Sequence, residues 1–505
     1  MDNKTKQKLD ELKELLYEVN DLQMVLYLLD WDQSTYMPPN GSEAHEHQMA
    51  TVQKIAHEKL TNPRIGKLLA ALQPFASTLR YDDDVAALLR IAQRDYNRAV
   101  KIPTPYASEM AHLDARSYNA WTKARETDNF AAVQPLLEKK LEMCQRLADF
   151  LPGHAHVADP WIAEYDYGMT VATIRPIFED LRQWLTSLVR AIMSKPEIDN
   201  SFLHRLYPAQ TQLEFTEKAV RSYGYDFQRG RQDLTHHPFM TKFSLGDIRI
   251  TTRVFEHDGV SALFSSLHEA GHALYEQGIN RAYEGSPLAN GTSSGVHESQ
   301  SRLWENLVGR SRSFWQHFYP QFQATFPSQL DDISAEQFYR GINKVDRSLI
   351  RVEADEVTYN LHVIIRFELE LDMLEGKLAI SDLPKAWRER YGDYLGIIPE
   401  DDKDGCLQDV HWFSGSIGGA FQGYTLGNIM ASQFFDAALK AHPDIPEQIA
   451  QGKFDTLRQW LQNNIYQHGA KFSTAELLER VTGGPLSLTP YKRYIETKYG
   501  ELYNL

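Results

Sequence analysis

Apolar side chains recur along most of the chain at three- and four-residue spacing, which places them on one face of an α-helix. The first five segments with this pattern are 5–29, 43–60, 83–101, 104–127 and 130–151. Eight more follow at about 171–195, 208–223, 259–278, 297–318, 354–375, 415–438, 452–466 and 486–500. The pattern therefore predicts a mainly α protein.

Proline and glycine interrupt the helical pattern at residues 37–41, 151–153 and 483–485, where they mark loops. Between these breaks we find no repeat of fixed period, no low-complexity tract and no linker rich in proline and serine. We therefore expect residues 1–505 to form a single domain with lobes, not a string of separate domains.

One segment, residues 241–255, departs from the helical pattern. It is rich in β-branched and aromatic residues, and isoleucine and threonine alternate with arginine and threonine after a turn at 245–247. Alternation with a period of two is typical of a half-buried strand. The segment predicts a β-hairpin directly before the helical segment 259–278.

Composition excludes several classes of protein. The chain has 505 residues, of which 53 are basic and 68 acidic, so its net charge is −15. A chain this acidic, without a basic patch, repels nucleic acid and anionic lipid. We therefore expect neither nucleic acid nor a membrane as a partner.

Cysteine content and the N-terminal residues indicate a cytoplasmic protein. Cys144 and Cys406 are the only cysteines, too few for a disulfide framework and without metal-ligand spacing. The first twenty residues alternate charged and apolar side chains, whereas a signal peptide needs an uncharged apolar stretch. No apolar run reaches the roughly 18 residues of a membrane span.

The helical segment 259–278 carries the chemistry-bearing motif His268-Glu269-Ala270-Gly271-His272. Histidines at positions i and i+4 lie one above the other on a helix, so both rings can reach one cation. Glu269 cannot easily join them as a ligand, but it can reach a metal-bound water. The motif is short and also occurs without metal. The similar His45-Glu46-His47 segment has Met49 where a second histidine would stand, and we interpret it as a solvated helix face.

A catalytic zinc of this type needs a third protein ligand and an open position for water. Glu298 opens the next helical segment, 26 residues after His272 and beyond a turn region rich in glycine and serine. A helix–loop–helix arrangement of this length can bring its carboxylate to the two histidines. The alternative is an exposed glutamate favoured by the positive end of a helix dipole.

Further motifs carry a family resemblance. In chain order they are Trp31–Pro38, His237-Pro238-Phe239, Asp247–Thr251, His268–His272, His297–Gln300, Ile350–Asp355 and Gly405–Trp412. With them the sequence resembles the Taq carboxypeptidase family of HExxH metallocarboxypeptidases, and it is more distantly similar to neurolysin and angiotensin-converting enzyme. The resemblance implies two helical lobes around a deep cleft, a small β-sheet beside the metal helix, and a homodimer.

The resemblance also implies an activity, the release of single residues from the C-terminus of peptides. One divalent cation per chain, zinc or alternatively cobalt or manganese, would polarise the scissile carbonyl and lower the pKa of its bound water to about 7. Glu269 is then the general base. His411 and Tyr424 are candidates for stabilising the oxyanion, although either can instead be a core residue.

The substrate-binding residues also come from the resemblance. Arg351 is the expected clamp for the C-terminal carboxylate, a task that suits a fork-shaped cation. On the residues alone, a salt bridge from Arg351 to Asp346, Glu353 or Asp355 is an open alternative. Asp355 is a candidate supporting residue.

Four further positions are expected at the substrate cleft. Asp247, Arg249 and Thr251 lie on the predicted hairpin, which in the family is thought to close one end of the cleft and limit peptide length. His237, in the His-Pro-Phe motif, is expected to shape the substrate pocket. A half-buried strand and a structural turn are the respective alternatives.

Two other functions are compatible with these motifs. One is an endo-oligopeptidase or dipeptidyl carboxypeptidase on the same scaffold. The other is a helical binding protein whose metal motif is vestigial. The presence of all four residues His268, Glu269, His272 and Glu298 argues against the second, because drift would be expected to remove at least one.

Overall fold

The computed structural model describes residues 1–505 and is built mainly of helices. Before the sheet they are α1 (Asn3–Thr35), α2 (Ser42–Leu60), α3 (Pro63–Ala76), α4 (Asp84–Lys101), α5 (Thr104–Glu126), α6 (Gln134–Phe150), α7 (Asp159–Tyr165), α8 (Val171–Met193) and α9 (Ala209–Tyr223). After it come α10 (Ser261–Gly278), α11 (Ser294–Arg302), α12 (Arg312–Thr325), α13 (Pro327–Leu330), α14 (Ala335–Ile342), α15 (Tyr359–Leu374), α16 (Leu383–Tyr394), α17 (His411–Ser414), α18 (Gln422–Ala441), α19 (Ile445–Ala450), α20 (Asp455–Asn464), α21 (Thr474–Thr482) and α22 (Thr489–Tyr503).

Three strands form one small sheet. They are β1 (Gln232–Leu234), β2 (Met240–Ser244) and β3 (Asp247–Thr252), in the spatial order β1-β3-β2. β2 and β3 pair antiparallel, as the predicted hairpin requires, whereas β1 pairs parallel to β3 and was not predicted. The buried side chains of Ile248 and Ile250 anchor β3, which packs against α10. The predicted fold is confirmed, since the protein is mainly α and its small sheet lies beside α10, the helix that carries His268 and His272.

Two predicted helices differ from those observed. The segment 297–318 contains α11, a wider π-helical turn at Leu303–Val308 and then α12. The segment 415–438 is irregular until α18 begins at Gln422, because its glycines weaken helix formation. Helix α3 was missed, although Asn62 caps its first turn and Pro63 follows at the first helical position, a common start signal.

Two large apolar clusters organise the chain. The larger spans residues 124–503 and includes the apolar side of α10. The smaller joins α1, α3 and α4 to the hairpin turn and to the loop after α10, through residues 245, 279, 283, 288 and 289. The N-terminal helices are therefore attached to the segments on either side of α10.

A cavity of about 750 Å³ lies between the N-terminal helices and the rest of the chain. Residues of α2 and α4 line one side, and residues 151–167 with Thr292 line the other. The lining residue Thr292 contacts α10, the helix that carries the two histidines, because its hydroxyl is 3.3 Å from the Tyr275 hydroxyl. None of the helices has the length and apolar composition needed to cross a membrane.

Two glycines allow three helices to approach closely. A Cβ atom on Gly271 of α10 would lie 2.6 Å from the carbonyl oxygen of Gln300 in α11. A Cβ atom on Gly427 of α18 would lie 2.5 Å from Cγ of Glu298, on another side of α11. Because any side chain at either position would collide with α11, the two glycines fix where α11, and with it Glu298, lies.

We predict that Gly271→Ala destabilises the protein, because the contacted atoms of α11 are backbone and cannot rotate away. Overpacking of this kind lowers the free energy of unfolding by about 1–3 kcal/mol. Gly500→Ala is the matched control, since Gly500 also lies in a helix but its Cβ would meet nothing within 4 Å. That control should raise the free energy of unfolding by about 0.5–1 kcal/mol. Urea unfolding followed by circular dichroism compares the two, and a stabilised Gly271→Ala variant would contradict the packing argument.

Candidate active site

The two histidines of the HExxH motif project from α10 toward one point. Their ring centroids are 4.9 Å apart and the rings are nearly perpendicular, at 81°. The helix is held in place by buried apolar side chains on its other sides, namely Leu263, Phe264, Leu267 and Leu274. The neighbouring Nε2 atoms of His268 and His272 are thus available on a rigid element.

Glu298 of α11 completes a three-residue constellation. Its Oε2 lies 3.6 Å from Nε2 of His268 and 3.4 Å from Nε2 of His272. The three ligand atoms all lie within 4.8 Å of one another. Ligands at zinc distances of about 2.0–2.2 Å in a tetrahedron are roughly 3.4 Å apart, so the donor set fits one small divalent cation. The exposed-glutamate alternative is wrong, because Glu298 is buried.

Glu305 fixes the orientation of His268. Its Oε2 lies 2.8 Å from Nδ1 of His268, so the ring donates its Nδ1 proton there and keeps the Nε2 lone pair free. Burial alone would raise the pKa of Glu305, but Arg302 and His268 outweigh burial and lower it to about 2. Glu305 lies on the π-helical turn Leu303–Val308, a type of turn that is frequent at functional sites.

A chain of three side chains fixes His272 in the same way. Its Nδ1 is 2.6 Å from Nδ1 of His297, whose Nε2 is 2.9 Å from Oε1 of Glu276. Lys242 on β2 donates to the other oxygen of Glu276 over 2.7 Å. Because Glu276 accepts the Nε2 proton of His297, the Nδ1 of His297 can accept from His272. The network therefore selects the tautomer of His272 that leaves Nε2 free.

Arg302 connects the two glutamates. Its Nε donates to Oε1 of Glu298 over 2.6 Å, and its Nη1 donates to Oε2 of Glu305 over 3.3 Å. The guanidinium also lies over the Tyr359 ring, 4.3 Å from its centroid. Arg302 outweighs the effect of burial and, with the two histidines, holds the pKa of Glu298 well below its usual range. One oxygen of Glu298 is thus occupied by Arg302, and the other faces the histidines.

Glu269 is a buried carboxyl group beside the ligand set. It is 6% exposed, and burial raises its pKa to about 7, with Glu298 and Glu305 adding to the rise and His268 opposing it. A carboxyl group with such a pKa can take up and release a proton near neutral pH.

His411 and Tyr424 contact each other. Nε2 of His411 at the start of α17 is 3.3 Å from the hydroxyl of Tyr424 in α18. Burial, helped by the nearby Arg351, lowers the pKa of His411 to about 4, so the ring is neutral at pH 7. Burial also raises the pKa of Tyr424, so its hydroxyl keeps its proton. The pair offers neutral hydrogen-bond donors.

Arg351 is 5% exposed and lies on a short 3₁₀ turn before α15. Its Nε and Nη2 donate to the two oxygens of Asp409 over 3.1 and 2.8 Å, and its Nη1 donates to Tyr359 over 3.1 Å. The alternative salt bridges to Asp346, Glu353 or Asp355 are not formed.

The other predicted substrate-binding residues differ in exposure and in hydrogen-bond partners. Arg249 pairs with both oxygens of Asp247, over 2.9 and 2.8 Å, and lies over the Trp31 ring. Thr251 is fully buried, and its hydroxyl bonds the backbone of Phe239, which follows His237-Pro238. The side chain of His237 is exposed, but partial desolvation by nearby protein atoms and the positive charge of Arg351 lower its pKa. Thr251 thus supports the loop that presents His237.

Asp355 supports the start of α15. Its carboxylate accepts from the backbone N–H groups of Val357 and Thr358 and from that of Asp346. Burial raises its pKa to about 6. These contacts order the loop that carries Arg351.

The imperfect motif at His45 is built differently. His45 on α2 is buried and its Nε2 bonds the carbonyl oxygen of Leu29 in α1, whereas Glu46 and His47 are exposed. The interpretation of this segment as a solvated helix face therefore holds for Glu46 and His47 but is wrong for His45, which packs against α1.

Comparison with known proteins identifies the family. The model of the carboxypeptidase Taq (M32) metallopeptidase family matches residues 11–499. The chain belongs to this family. It is 41% identical to thermostable carboxypeptidase 1 of Thermus thermophilus over 94% of this chain and 95% of that protein. It is 35% identical to carboxypeptidase 1 of Bacillus subtilis over 98% of both.

A solved structure of this family has the same fold as this chain. The crystal structure of an M32 carboxypeptidase from Deinococcus radiodurans R1 superposes with a TM-score of 0.96 at 46% identity, over 99% of this chain and 100% of that one. The predicted family, the predicted class of enzyme and the predicted fold are confirmed: this M32 chain is a metallocarboxypeptidase, a peptide hydrolase that acts with a divalent metal. The endo-oligopeptidase alternative finds no support among these relatives.

Several site residues were missed by sequence reasoning. Glu305, Glu276, Lys242 and Arg302 orient the candidate ligands, yet none follows from the HExxH motif. One signal was present, since Glu298, Arg302 and Glu305 lie at spacings of four and three residues, which puts them on one helix face. Glu276 follows His272 by four residues in α10 and so offered the same kind of signal, whereas Lys242 lies on β2, far from His297 along the chain, and offered none.

We predict that Glu305→Gln weakens zinc binding, because a neutral amide holds the Nδ1 proton of His268 less strongly than a carboxylate. Loss of such a partner typically costs tenfold or more in metal affinity, so we expect about tenfold. Competition against a chromogenic chelator measures the affinity. Glu46→Gln on the exposed face of α2 is the control. Equal zinc affinity in the two variants would show that Glu305 does not orient His268.

Proposed function

We propose that His268, His272 and Glu298 hold one zinc ion and that Glu269 is the general base for hydrolysis of the C-terminal peptide bond. The observation that carries the proposal is the cluster of three ligand atoms beside a buried carboxyl group with a pKa of about 7. A divalent cation there supplies Lewis acidity, which polarises a peptide carbonyl and acidifies water. The same donors also accept cobalt or manganese.

Glu269 moves the proton in this proposal. Its carboxylate takes a proton from the attacking water and returns it to the amine that leaves. Burial favours this exchange because it destabilises the charged form, which makes the carboxylate a stronger base.

Tyr424 and His411 stabilise the negative charge that develops on the carbonyl oxygen of the scissile bond. The Tyr424 hydroxyl lies close enough to Glu298 for that carboxylate to affect its pKa, which places it near the ligand set. His411 contacts the same hydroxyl and orients it. A neutral phenol aimed at an oxyanion in a buried site stabilises charge more strongly than water does.

Arg351 binds the C-terminal carboxylate of the peptide. A guanidinium has five N–H donors, and the contacts of Arg351 leave one N–H on each of Nη1 and Nη2 without a protein acceptor. His237 lies close enough to Arg351 for the two charges to interact and lines the same pocket. The Arg249–Asp247 pair on β3 closes the cleft and limits peptide length.

The cellular setting and assembly are part of the proposal. We infer a cytoplasmic homodimer that acts on short and medium peptides with a free C-terminus. Support comes from the two buried, unpaired cysteines, which suit a reducing compartment, and from the family resemblance. Elemental analysis identifies the metal, light scattering gives the oligomeric state, and mass spectrometry of a peptide digest shows whether residues leave one at a time.

We predict that Glu269→Gln abolishes turnover while the metal stays bound, because glutamine keeps the shape of the side chain but cannot accept the proton. General-base catalysis contributes about 10²–10⁴-fold, so kcat should fall by at least that factor. Steady-state kinetics and the metal content of the same preparation are the measurements. A wild-type rate would remove Glu269 from the role of base.

We predict that Arg351→Ala weakens binding of substrates with a free C-terminus and leaves binding of their C-terminal amides unchanged. Loss of a charge-assisted hydrogen bond costs about 1.5–3 kcal/mol, so KM for the acid should rise roughly 10- to 100-fold. Arg347→Ala, an exposed arginine nearby, is the control. If the wild-type enzyme cleaves acid and amide equally, an exopeptidase specificity set by Arg351 is excluded.

A further inference from the structure

A second buried arginine lies behind Arg351. Arg366 of α15 is fully buried, and its Nε donates to Oδ2 of Asp409, the oxygen that also accepts from Nε of Arg351. Two guanidinium groups thus share one carboxylate. The ion pair of each with Asp409 is formed inside the protein, where solvent screens charge poorly.

Arg366 is fully buried, so it cannot contact a substrate itself. Its Nη1 donates to the carbonyl oxygen of His362 over 2.8 Å and to the Tyr391 hydroxyl over 3.3 Å, and its Nη2 donates to Oε1 of Gln408 over 2.7 Å. The guanidinium lies over the Trp387 ring, 4.6 Å from its centroid. Arg366 can therefore affect a bound peptide only indirectly, through Asp409 and through Gln408, whose Oε1 also accepts the backbone N–H of Arg351 over 3.0 Å.

The cluster carries one uncompensated positive charge. Arg351 and Arg366 are cations, and the two arginines outweigh burial and keep the pKa of Asp409 well below its usual range. Burial lowers the pKa of both His362 and His411, so each is neutral at pH 7.

The remaining acidic neighbour does not cancel this charge. Glu370 accepts from Trp412 over 2.8 Å, and its second oxygen has no hydrogen-bond partner. Burial raises its pKa to about 8, so it is mainly protonated at neutral pH. A buried net charge is costly unless something pairs with it, and the free N–H groups of Arg351 are the part of the cluster not already bonded by the protein.

We propose that Arg366 is a positioning residue that gives the carboxylate pocket its positive charge. With Asp409 bound to Arg351 alone, the pair would be neutral and would attract an anion weakly. Since Arg366 balances the charge of Asp409, Arg351 is held in a fixed orientation by Asp409 and still acts on the peptide carboxylate as a full cation. This inference rests on the proposed role of Arg351.

A set of charge variants tests the proposal. Arg366→Met removes the charge but keeps a long side chain against Trp387, Arg366→Lys keeps the charge, and Asp409→Asn combined with Arg366→Met restores the net charge of the wild type. Isothermal titration calorimetry gives the Kd of N-acetyl-alanyl-phenylalanine and of its C-terminal amide. Each variant is made in metal-loaded full-length protein that also carries Glu269→Gln, because this background should bind both probes without hydrolysing them.

The expected result follows the net charge. Arg366→Met should bind the acid about tenfold more weakly, the order expected for loss of one nearby charge in a poorly screened site, and the amide as the wild type does. Arg366→Lys and the double variant should both bind the acid within about threefold of the wild type. They alter hydrogen bonds but keep the net charge, and the net contribution of a single hydrogen bond is modest. A merely structural role of Arg366 would weaken acid and amide alike and would make the double variant worse than either single one.

Control variants separate the possible failures. Arg390→Met removes another partly buried arginine that pairs with acidic groups and should leave acid binding unchanged. If Arg351→Ala weakens acid binding but Arg366→Met does not, the present inference is overturned and the proposed role of Arg351 stands. If Arg351→Ala has no effect, both are overturned. Should Arg366→Met fail to fold, the comparison of Arg366→Lys with Asp409→Asn decides, since the latter should bind the acid more tightly and the former should not differ from the wild type.

Discussion

The contact between α10 and α11 at Gly271 is the constraint on which the site depends. At that point the backbones of two helices meet with no room for a side chain. Two histidines one turn apart belong to a single helix and need no tertiary structure to become neighbours. The carboxylate of Glu298, by contrast, comes close to the histidines only in the folded protein. It does so because Gly271 lets α11 pack closely against α10, and Gly427 lets α18 pack closely against another side of α11.

Around this contact the buried charges are arranged in pairs. Each candidate ligand has a partner: Glu305 for His268, His297 with Glu276 for His272, and Arg302 for Glu298. Ionised groups are costly to bury unless they are hydrogen-bonded to opposite charges. The pairing lowers that cost and also fixes which nitrogen and which oxygen face the ligand position. Glu269 differs because it has no such cation, and its pKa is raised instead.

A second cluster of buried charged groups surrounds Arg351, and its ratio of positive to negative groups is different. The ligand cluster contains several carboxylates around Arg302, whereas the Arg351 cluster has two arginines for one aspartate. The two clusters are linked through Tyr359, which accepts from Arg351 and packs against Arg302. The candidate metal ligands and Arg351, the proposed carboxylate clamp, thus lie on either side of one tyrosine.

The sequence by itself determined the mainly α fold, the hairpin, and the position of His268 and His272 on one helix face, since these depend on periodicity and on spacing within one helix. The roles expected for Arg351, His411 and Tyr424 came from the family resemblance. The sequence did not determine the partners that lie far apart in the chain. Lys242 and Glu276 are 34 residues apart, and Asp409 lies 58 residues from Arg351 and 43 from Arg366, so no local pattern joins them. The pairing of β1 with β3 was likewise decided by tertiary packing, because it joins two segments that no local pattern connects. Burial then set which carboxyl groups are charged, a property that no residue carries alone.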